Sequence, residues 1–117
     1  MHFSEYEEVA MSTAVYGNAQ EGVDGNLVYP ALGLAGEAGE FVDKVKKNWR
    51  NNQSMTAANL TFEQRKEFAK ELGDVLWYVT ACAKELGFSL HDIARINLQK
   101  LLDRRARGVI KSEGDNR

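Results

Sequence analysis

Residues that break helices are confined to a few places in this chain, and their distribution decides which folds are open to it. The single proline is Pro30, and Gly and Asn residues cluster in two regions, 17–26 and 48–59, which we predict to be loops. The long segments between these breaks lack sustained alternation of polar and apolar residues, and no turn dipeptide joins two β-branched runs. The sequence therefore predicts an all-α fold.

Capping patterns place the first two predicted helices. Ser4, with Glu7 three residues later, forms a capping box, and the first helix is expected to end near Gly17. Pro30 suits the first turn of a second helix, because its missing N–H would be unpaired there in any case. This second helix is expected to run to about Arg50.

The same signals place two further helices. Thr61 and Gln64 form another capping box, and the third helix runs to Gly87, which suits a left-handed stop. Ser89 caps the fourth helix, which continues to about Arg107. Together the four helices predict a four-helix bundle. Their broad apolar stripes exceed what one small bundle can cover, so we also predict that the chain assembles into a homodimer or homotetramer.

Composition excludes several classes of function. The 117 residues suit one domain, which we place at 1–110, with a polar tail at 111–117. A formal charge of -2 argues against general nucleic-acid binding. No apolar run reaches the roughly 18 residues of a membrane span, and the first residues lack the basic-then-apolar order of a signal peptide. We therefore expect a cytoplasmic protein that binds neither nucleic acid nor membranes.

Two acidic motifs of the same spacing carry most of the functional information. Glu37 and Glu40 lie three residues apart in the second predicted helix, and Glu71 and Asp74 do so in the third. Residues at this spacing share one helix face. With a rotation of about 100° per residue around the helix axis, each acidic pair lies beside an apolar stripe, and it lies on the same side of that stripe in both helices. If the two stripes pack antiparallel, the four carboxylates converge at one edge of the bundle.

Four converging carboxylates repel one another unless a cation lies among them. An all-oxygen ligand set favours Mg²⁺, with Mn²⁺ as a second possibility, over zinc or copper. Mg²⁺ in proteins commonly completes its coordination with substrate phosphates, so the pattern is typical of phosphoanhydride chemistry. The alternative is a solvated helix face with no ligand. The interior glycines of these helices, such as Gly36 and Gly73, indicate either close helix packing or room for a ligand.

The residues around the acids resemble those of a known family. Residues 32–40 read LGLAGEAGE, residues 71–78 read ELGDVLWY, and residues 97–101 read NLQKL. In these segments the chain is similar to the MazG-like nucleotide pyrophosphohydrolases of the all-α NTP pyrophosphatase superfamily. The resemblance spans roughly residues 29–110. It departs from many members in having Gly36 beside Glu37, and in a longer polar connection that is either a lid or a loop.

The resemblance implies an enzyme that hydrolyses a nucleoside or deoxynucleoside triphosphate between the α- and β-phosphates. It implies that Glu37, Glu40, Glu71 and Asp74 hold Mg²⁺. In the mechanism that we expect, one of these acids also helps to deprotonate the attacking water. The resemblance also implies that Asn97 and Lys100 contact the sugar or the phosphates, and that more than one subunit contributes to each site. The rival readings are a dUTP or modified-nucleotide hydrolase and a non-catalytic helical dimerisation module.

Other side chains near the acids have two readings each. Lys44 and Lys47 follow Glu40 by one and two turns, so they either reach phosphates or form an exposed basic face. Tyr78 lies one turn after Asp74 and either contacts nucleotide, as the resemblance suggests, or packs in the core or a dimer interface. Trp49 lies on the apolar stripe, which favours core packing over base stacking. Trp77 lies on another face, which favours a subunit interface.

Overall fold

The structure is a computed structural model that describes residues 1–52 and 54–108. Within these ranges the protein is all-α and contains no strand, which confirms the predicted class. The four α-helices and one short 3-10 turn, in chain order, are α1 (Phe3–Ser12), the 3-10 turn (Gly22–Asp24), α2 (Val28–Asn52), α3 (Phe62–Glu85) and α4 (Leu90–Arg107). The predicted tail at 111–117 lies outside the described residues.

Helices α2 and α3 form the principal packed pair and run antiparallel. Gly33 near the start of α2 contacts Tyr78 near the end of α3, while Lys44 farther along α2 pairs with Glu71 farther back on α3. Between the two helices, the rings of Phe41 and Phe68 meet edge to face, with centroids 6.5 Å apart. The antiparallel arrangement assumed in the sequence argument is therefore the observed one.

The caps of α3 and α4 follow the predicted chemistry. Thr61 accepts a hydrogen bond from the backbone N–H of Gln64, and the Gln64 side chain accepts one from the Thr61 N–H. Ser89 and Asp92 form the same reciprocal pair at the start of α4. Gly87 follows α3 with φ 82°, a backbone conformation that glycine adopts at little cost. These local signals correctly fixed both helix starts and the stop between them.

The capping box predicted for α1 is wrong. The helix begins at Phe3, so Ser4 lies inside its first turn. It also ends at Ser12 instead of Gly17. At this end of the helix the hydroxyls of Ser12 and Thr13 donate to the carbonyls of Val9 and Ala10, at 2.5 and 2.6 Å. Such side-chain bonds to the backbone compete with continuation of a helix.

Glu7 caps a different helix from the one predicted. Its buried carboxylate accepts a hydrogen bond from the backbone N–H of Leu90, the first residue of α4. Its other oxygen lies 3.6 Å from the ammonium of Lys84. A carboxylate at a helix N-terminus satisfies an otherwise unpaired N–H and complements the helix dipole. Glu7 therefore joins α1 to the α3–α4 connection.

Glu7→Gln is expected to lower the free energy of unfolding by about 1–3 kcal/mol, because the buried acceptor loses the charge that strengthens its bond to the Leu90 N–H and that pairs with Lys84. Glu8→Gln is the matched control, since the neighbouring Glu8 side chain is exposed, and it should change stability by less than about 0.5 kcal/mol. Urea denaturation monitored by circular dichroism measures both. Equal midpoints for the two variants would show that the Glu7 contact contributes nothing.

The buried core lies between α1 and the second half of α3. Ala10, Met11 and Ala81 form it, and Trp77 packs against it. The Trp77 indole N–H lies 2.9 Å from the Thr13 hydroxyl and 3.2 Å from the Ala10 carbonyl, with both oxygens as acceptors. Trp77 thus makes contacts within the chain, and its place at a subunit interface stays a prediction.

Two sequence predictions at the end of α2 are wrong. The predicted loop at 48–59 begins later, because α2 continues to Asn52. Trp49 is 57% exposed instead of packed in the core. At this level α3 presents Glu63 and Glu67 to the groove between the helices, so the apolar stripe of α2 meets few apolar partners there. The weaker helix propensity of asparagine is too small a penalty to end the helix earlier.

Considerable apolar surface stays uncovered in the single chain. Leu32, Leu72 and Leu98 are 70%, 50% and 55% exposed. The radius of gyration is 17.1 Å, against about 13 Å for a compact chain of this length. Among the described helices, none is long and apolar enough to cross a membrane.

Candidate metal centre

The antiparallel α2–α3 pair brings three of the four predicted acids together. One carboxylate oxygen from each of Glu37, Glu71 and Asp74 lies within 4.8 Å of the other two. Glu37 and Glu71 are half-buried and Asp74 is exposed, so the cluster opens to solvent on one side. Glu40 is exposed one turn beyond Glu37, within hydrogen-bonding reach of it. The structure therefore places a tight triplet with the fourth acid beside it.

Two oxygens of this cluster are buried without a partner. Among the described residues, no donor reaches Oε2 of Glu37 or Oε2 of Glu71. Buried carboxylate oxygens are normally hydrogen-bonded, since leaving them unpaired is costly. Burial raises the pKa of Glu37, and the neighbouring carboxylates of Glu40, Asp74 and Glu71 raise it further. The donor set and its electrostatics thus fit a divalent cation bound by oxygen ligands.

A lysine supplies part of the missing positive charge. The Lys44 ammonium lies 2.6 Å from Oε1 of Glu71, whose side chain is only 12% exposed. Contact with Glu71 raises the pKa of Lys44, because the carboxylate stabilises the charged form. One ammonium facing three acids leaves the cluster short of positive charge.

An aromatic pocket of about 330 Å³ adjoins the acids, and its lining residues are Glu37, Asp74, Trp77 and Tyr78. The rings of Trp77 and Tyr78 meet edge to face with centroids 4.9 Å apart. Burial raises the pKa of the Tyr78 phenol, and its hydrogen bond with Tyr29 and the nearby acids act in the same direction. The pocket therefore joins a polar, acidic wall to an aromatic one.

Comparison with known proteins agrees with this geometry. The family model described as MazG nucleotide pyrophosphohydrolase domain matches residues 30–109, which include all four acids, the whole of α3 and all but the first two residues of α2. The chain belongs to the MazG nucleotide pyrophosphohydrolase family. Gene 37 protein of Mycobacterium phage L5 is 42% identical over 119 positions that cover the whole of both chains. No solved structure gives a significant match.

The family assignment accounts for the acidic helices but leaves other predicted site residues in separate places. Lys47 pairs with Asp43 at 2.8 Å and, together with Lys44, lines a second groove of about 500 Å³ at the far end of the helix pair. Asn97 and Lys100 lie on α4, which packs on α1 and α3. Within the described chain, neither lines the pocket beside the acids.

The sequence left two readings for Gly33, as for the other glycines of these helices, namely close helix packing or room for a ligand, and in this MazG chain the first is confirmed. A Cβ built at Gly33 would overlap the ring of Tyr78. By contrast, a Cβ at Gly36 or Gly73 meets nothing within 4 Å among the described residues. Close packing therefore explains Gly33 and not the other two. The available signal was a glycine inside a helix, but its partner lies 45 positions away in the sequence.

Gly33→Ala is expected to displace the Tyr78 ring from the pocket and weaken nucleotide binding by about tenfold or more, because misplaced contacts are costly. Gly36→Ala makes the same chemical change one turn away in open space. It should stabilise the helix by about 0.5–1 kcal/mol and leave binding unchanged. Calorimetric titration with a non-hydrolysable nucleotide, alongside thermal melting, tests both. Equal affinities for the two variants would remove Tyr78 from the binding site.

Proposed function

We propose that this protein is a Mg²⁺-dependent nucleoside or deoxynucleoside triphosphate pyrophosphohydrolase. It cleaves between the α- and β-phosphates and releases a monophosphate and pyrophosphate. The observation that carries the proposal is the triplet of Glu37, Glu71 and Asp74, which contains two buried oxygens without partners in the described structure. A solvated acidic face has no reason to bury such oxygens, whereas a cation site does.

Glu37, Glu71 and Asp74 would hold the Mg²⁺, or Mn²⁺ in its place. When bound, the ion supplies charge neutralisation at phosphate oxygens and activation of water. Glu40 lies outside the tight triplet and is exposed, so it either completes the ligand set or accepts the proton of the attacking water. Its place beside Glu37 suits both roles.

Lys44 and Lys47 are proposed to bind the phosphates that leave as pyrophosphate. Both line the groove at the far end of the helix pair, where Lys44 also contacts Glu71, and their side chains are 45% and 60% exposed. Tyr78, on the opposite side of the acids, would contact the nucleoside portion. The substrate would then lie along the α2–α3 pair, with the acids at the bond that breaks. Asn97 and Lys100 remain predicted contacts of sugar or phosphate.

The proposal is tested with a panel of NTPs and dNTPs, including dUTP, in Mg²⁺ with and without EDTA. Formation of monophosphate and pyrophosphate in equal amounts, abolished by EDTA, is the expected result. Activity confined to dUTP or to a modified nucleotide would support a narrower hydrolase of the same superfamily. Release of single orthophosphate would contradict the proposed bond. No product from any nucleotide would favour the dimerisation module.

We also propose that the protein works as a homodimer or homotetramer. The exposed leucines of α2, α3 and α4 and the large radius of gyration support this, because a single small domain seldom leaves so much apolar surface in water. A second copy could also bring Asn97 and Lys100 of its α4 to the acids. Light scattering at micromolar concentration should give at least twice the 13.1 kDa chain mass. A monomer mass would contradict the proposal.

A further inference from the structure

The connection between α1 and α2 folds around one carboxylate at the end of α3. Oε1 of Glu85 accepts hydrogen bonds from the Tyr16 hydroxyl at 2.8 Å and from the Gln20 backbone N–H at 2.5 Å. Oε2 accepts one from the Asn26 backbone N–H at 3.1 Å. Burial alone would raise the pKa of Glu85, but these three donors outweigh burial and lower it. Glu85 is thus held as an anion by residues 59 to 69 positions away.

The backbone of this connection is shaped to approach the carboxylate. Asn18, Gln20 and Gly22 have left-handed φ values of 56°, 60° and 64°, which are uncommon for the two non-glycine residues. A Cβ at Gly25 would lie 2.6 Å from Oε2 of Glu85 and 2.9 Å from the Gly22 carbonyl. Only a glycine fits there while the carboxylate keeps its place. The conformation of the connection therefore depends on Glu85.

A chain of aromatic contacts links this carboxylate to the pocket beside the acids. The Tyr16 ring, whose hydroxyl donates to Glu85, stacks on Tyr29 with centroids 5.0 Å apart. The phenol of Tyr29 interacts with that of Tyr78, and Gly33, one turn after Tyr29 on α2, packs against the Tyr78 ring. Tyr78 in turn lines the pocket with Glu37 and Asp74. Each link is a direct contact, so a change at Glu85 reaches Tyr78 through two rings.

We propose that Glu85 is a positioning residue for the nucleotide pocket: by holding Tyr16 and the 16–26 connection, it fixes Tyr29 and thereby the ring of Tyr78. The part concerning nucleotide rests on the proposed function, whereas the placement of Tyr78 does not. The chain of contacts ends on an aromatic ring and not on a metal-binding acid. Glu85 therefore acts on nucleotide affinity and leaves metal affinity alone.

The placement is tested without any activity, by fluorine NMR of the whole protein labelled with 3-fluorotyrosine. The chain has only four tyrosines, and substitution of each by Phe assigns its signal. In Glu85→Gln the signals of Tyr29 and Tyr78 should move, while that of Tyr6, which lies on α1, should stay. Glu21→Gln is the control, because it makes the same change in the same connection at an exposed side chain.

Tyr16→Phe keeps the ring and removes only the hydroxyl that donates to Glu85. It therefore tests the same link between Glu85 and Tyr78 if Glu85→Gln fails to fold. It should move the Tyr78 signal in the same direction by a smaller amount. A Tyr78 signal unchanged in both variants would overturn the proposal. Displacement of all signals, Tyr6 included, would also overturn it, since Glu85 would then stabilise the whole fold.

The part of the proposal that concerns nucleotide is tested by enzyme kinetics. KM and kcat are measured with the best substrate of the panel, and the affinity of the protein for Mn²⁺ is measured separately. Glu85→Gln should raise KM by roughly five- to tenfold, the effect of one ordinary hydrogen bond, with kcat and Mn²⁺ affinity within about twofold. Tyr29→Phe breaks the next link, so adding Glu85→Gln to it should raise KM little further. Additive effects of the two substitutions on KM would refute the pathway from Glu85 through Tyr29 to Tyr78. If the wild-type protein hydrolyses no nucleotide, the proposed function is refuted, but the fluorine NMR experiment still tests whether Glu85 positions Tyr78.

Discussion

Asp74→Asn is expected to leave a folded protein whose nucleotide turnover falls by more than about 100-fold. The substitution keeps the size of the side chain and removes its charge. Asp74 is one of three acids whose oxygens lie within 4.8 Å, so loss of this ligand weakens the hold on the cation and the activation of water together. The side chain is exposed, and two clustered acids repel each other less than three do. The melting temperature without metal should therefore stay the same or rise.

The measurement is monophosphate and pyrophosphate formed at saturating Mg²⁺, with circular dichroism as the check of folding. Asp103→Asn makes the same change on α4, where Asp103 pairs on the exposed face with Arg107, and should keep wild-type turnover. Near-wild-type turnover in folded Asp74→Asn would exclude Asp74 from the site. The geometric argument for a metal-dependent reaction would then lose its main support.

The parts of the fold that depend on neighbouring residues could be predicted from the sequence. The reciprocal bonds of Thr61 with Gln64 and of Ser89 with Asp92 span three residues, so the pattern alone identifies them. The three-residue spacing within each acidic pair likewise places both acids on one helix face. The convergence of Glu37 with Glu71 and Asp74 then followed from the position of the apolar stripes.

The contacts that could not be predicted join residues far apart in the chain. Glu7 has the spacing of a capping box with Ser4, yet it bonds the N–H of Leu90, 83 positions away. Glu85 looks like one more acid at a helix end, although three donors from a distant connection surround it. Local periodicity cannot distinguish such carboxylates from solvated ones. Only the packing of α1 on α4, for Glu7, and of the 16–26 connection on α3, for Glu85, gives them partners.

The roles of the lysines show the same limit. Their spacing from Glu40 predicted either contacts with phosphates or an exposed basic face. Both Lys44 and Lys47 line a groove between α2 and α3. The spacing could not reveal that Lys44 pairs with Glu71 across the helix pair, while Lys47 pairs with Asp43 on its own helix. Only the first of these lysines directly contacts an acid of the triplet, and this difference has a measurable consequence.

Lys44→Met should lower the melting temperature of the metal-free protein and make the protein bind Mn²⁺ more tightly. The Lys44 ammonium neutralises Glu71 in the metal-free cluster, so its loss leaves three acids facing one another. A divalent cation and the ammonium compete for the same carboxylate, and removing the ammonium removes that competition. In the wild type, metal at 100 times its Kd adds about 2.7 kcal/mol, or about 10 °C in a domain of this size.

Titration with Mn²⁺, read by calorimetry and by thermal melting, measures these changes without any nucleotide. Lys46→Met is the matched control, because Lys46 pairs with Asp43 at 3.3 Å, outside the triplet. It should leave both the metal-free melting temperature and the Mn²⁺ affinity close to those of the wild type. Equal Mn²⁺ affinities in the two variants would mean that Lys44 does not compete with metal at Glu71. A wild-type melting temperature that is insensitive to millimolar Mg²⁺ or Mn²⁺ would instead refute a preformed cation site, and the buried oxygens of Glu37 and Glu71 would need another explanation.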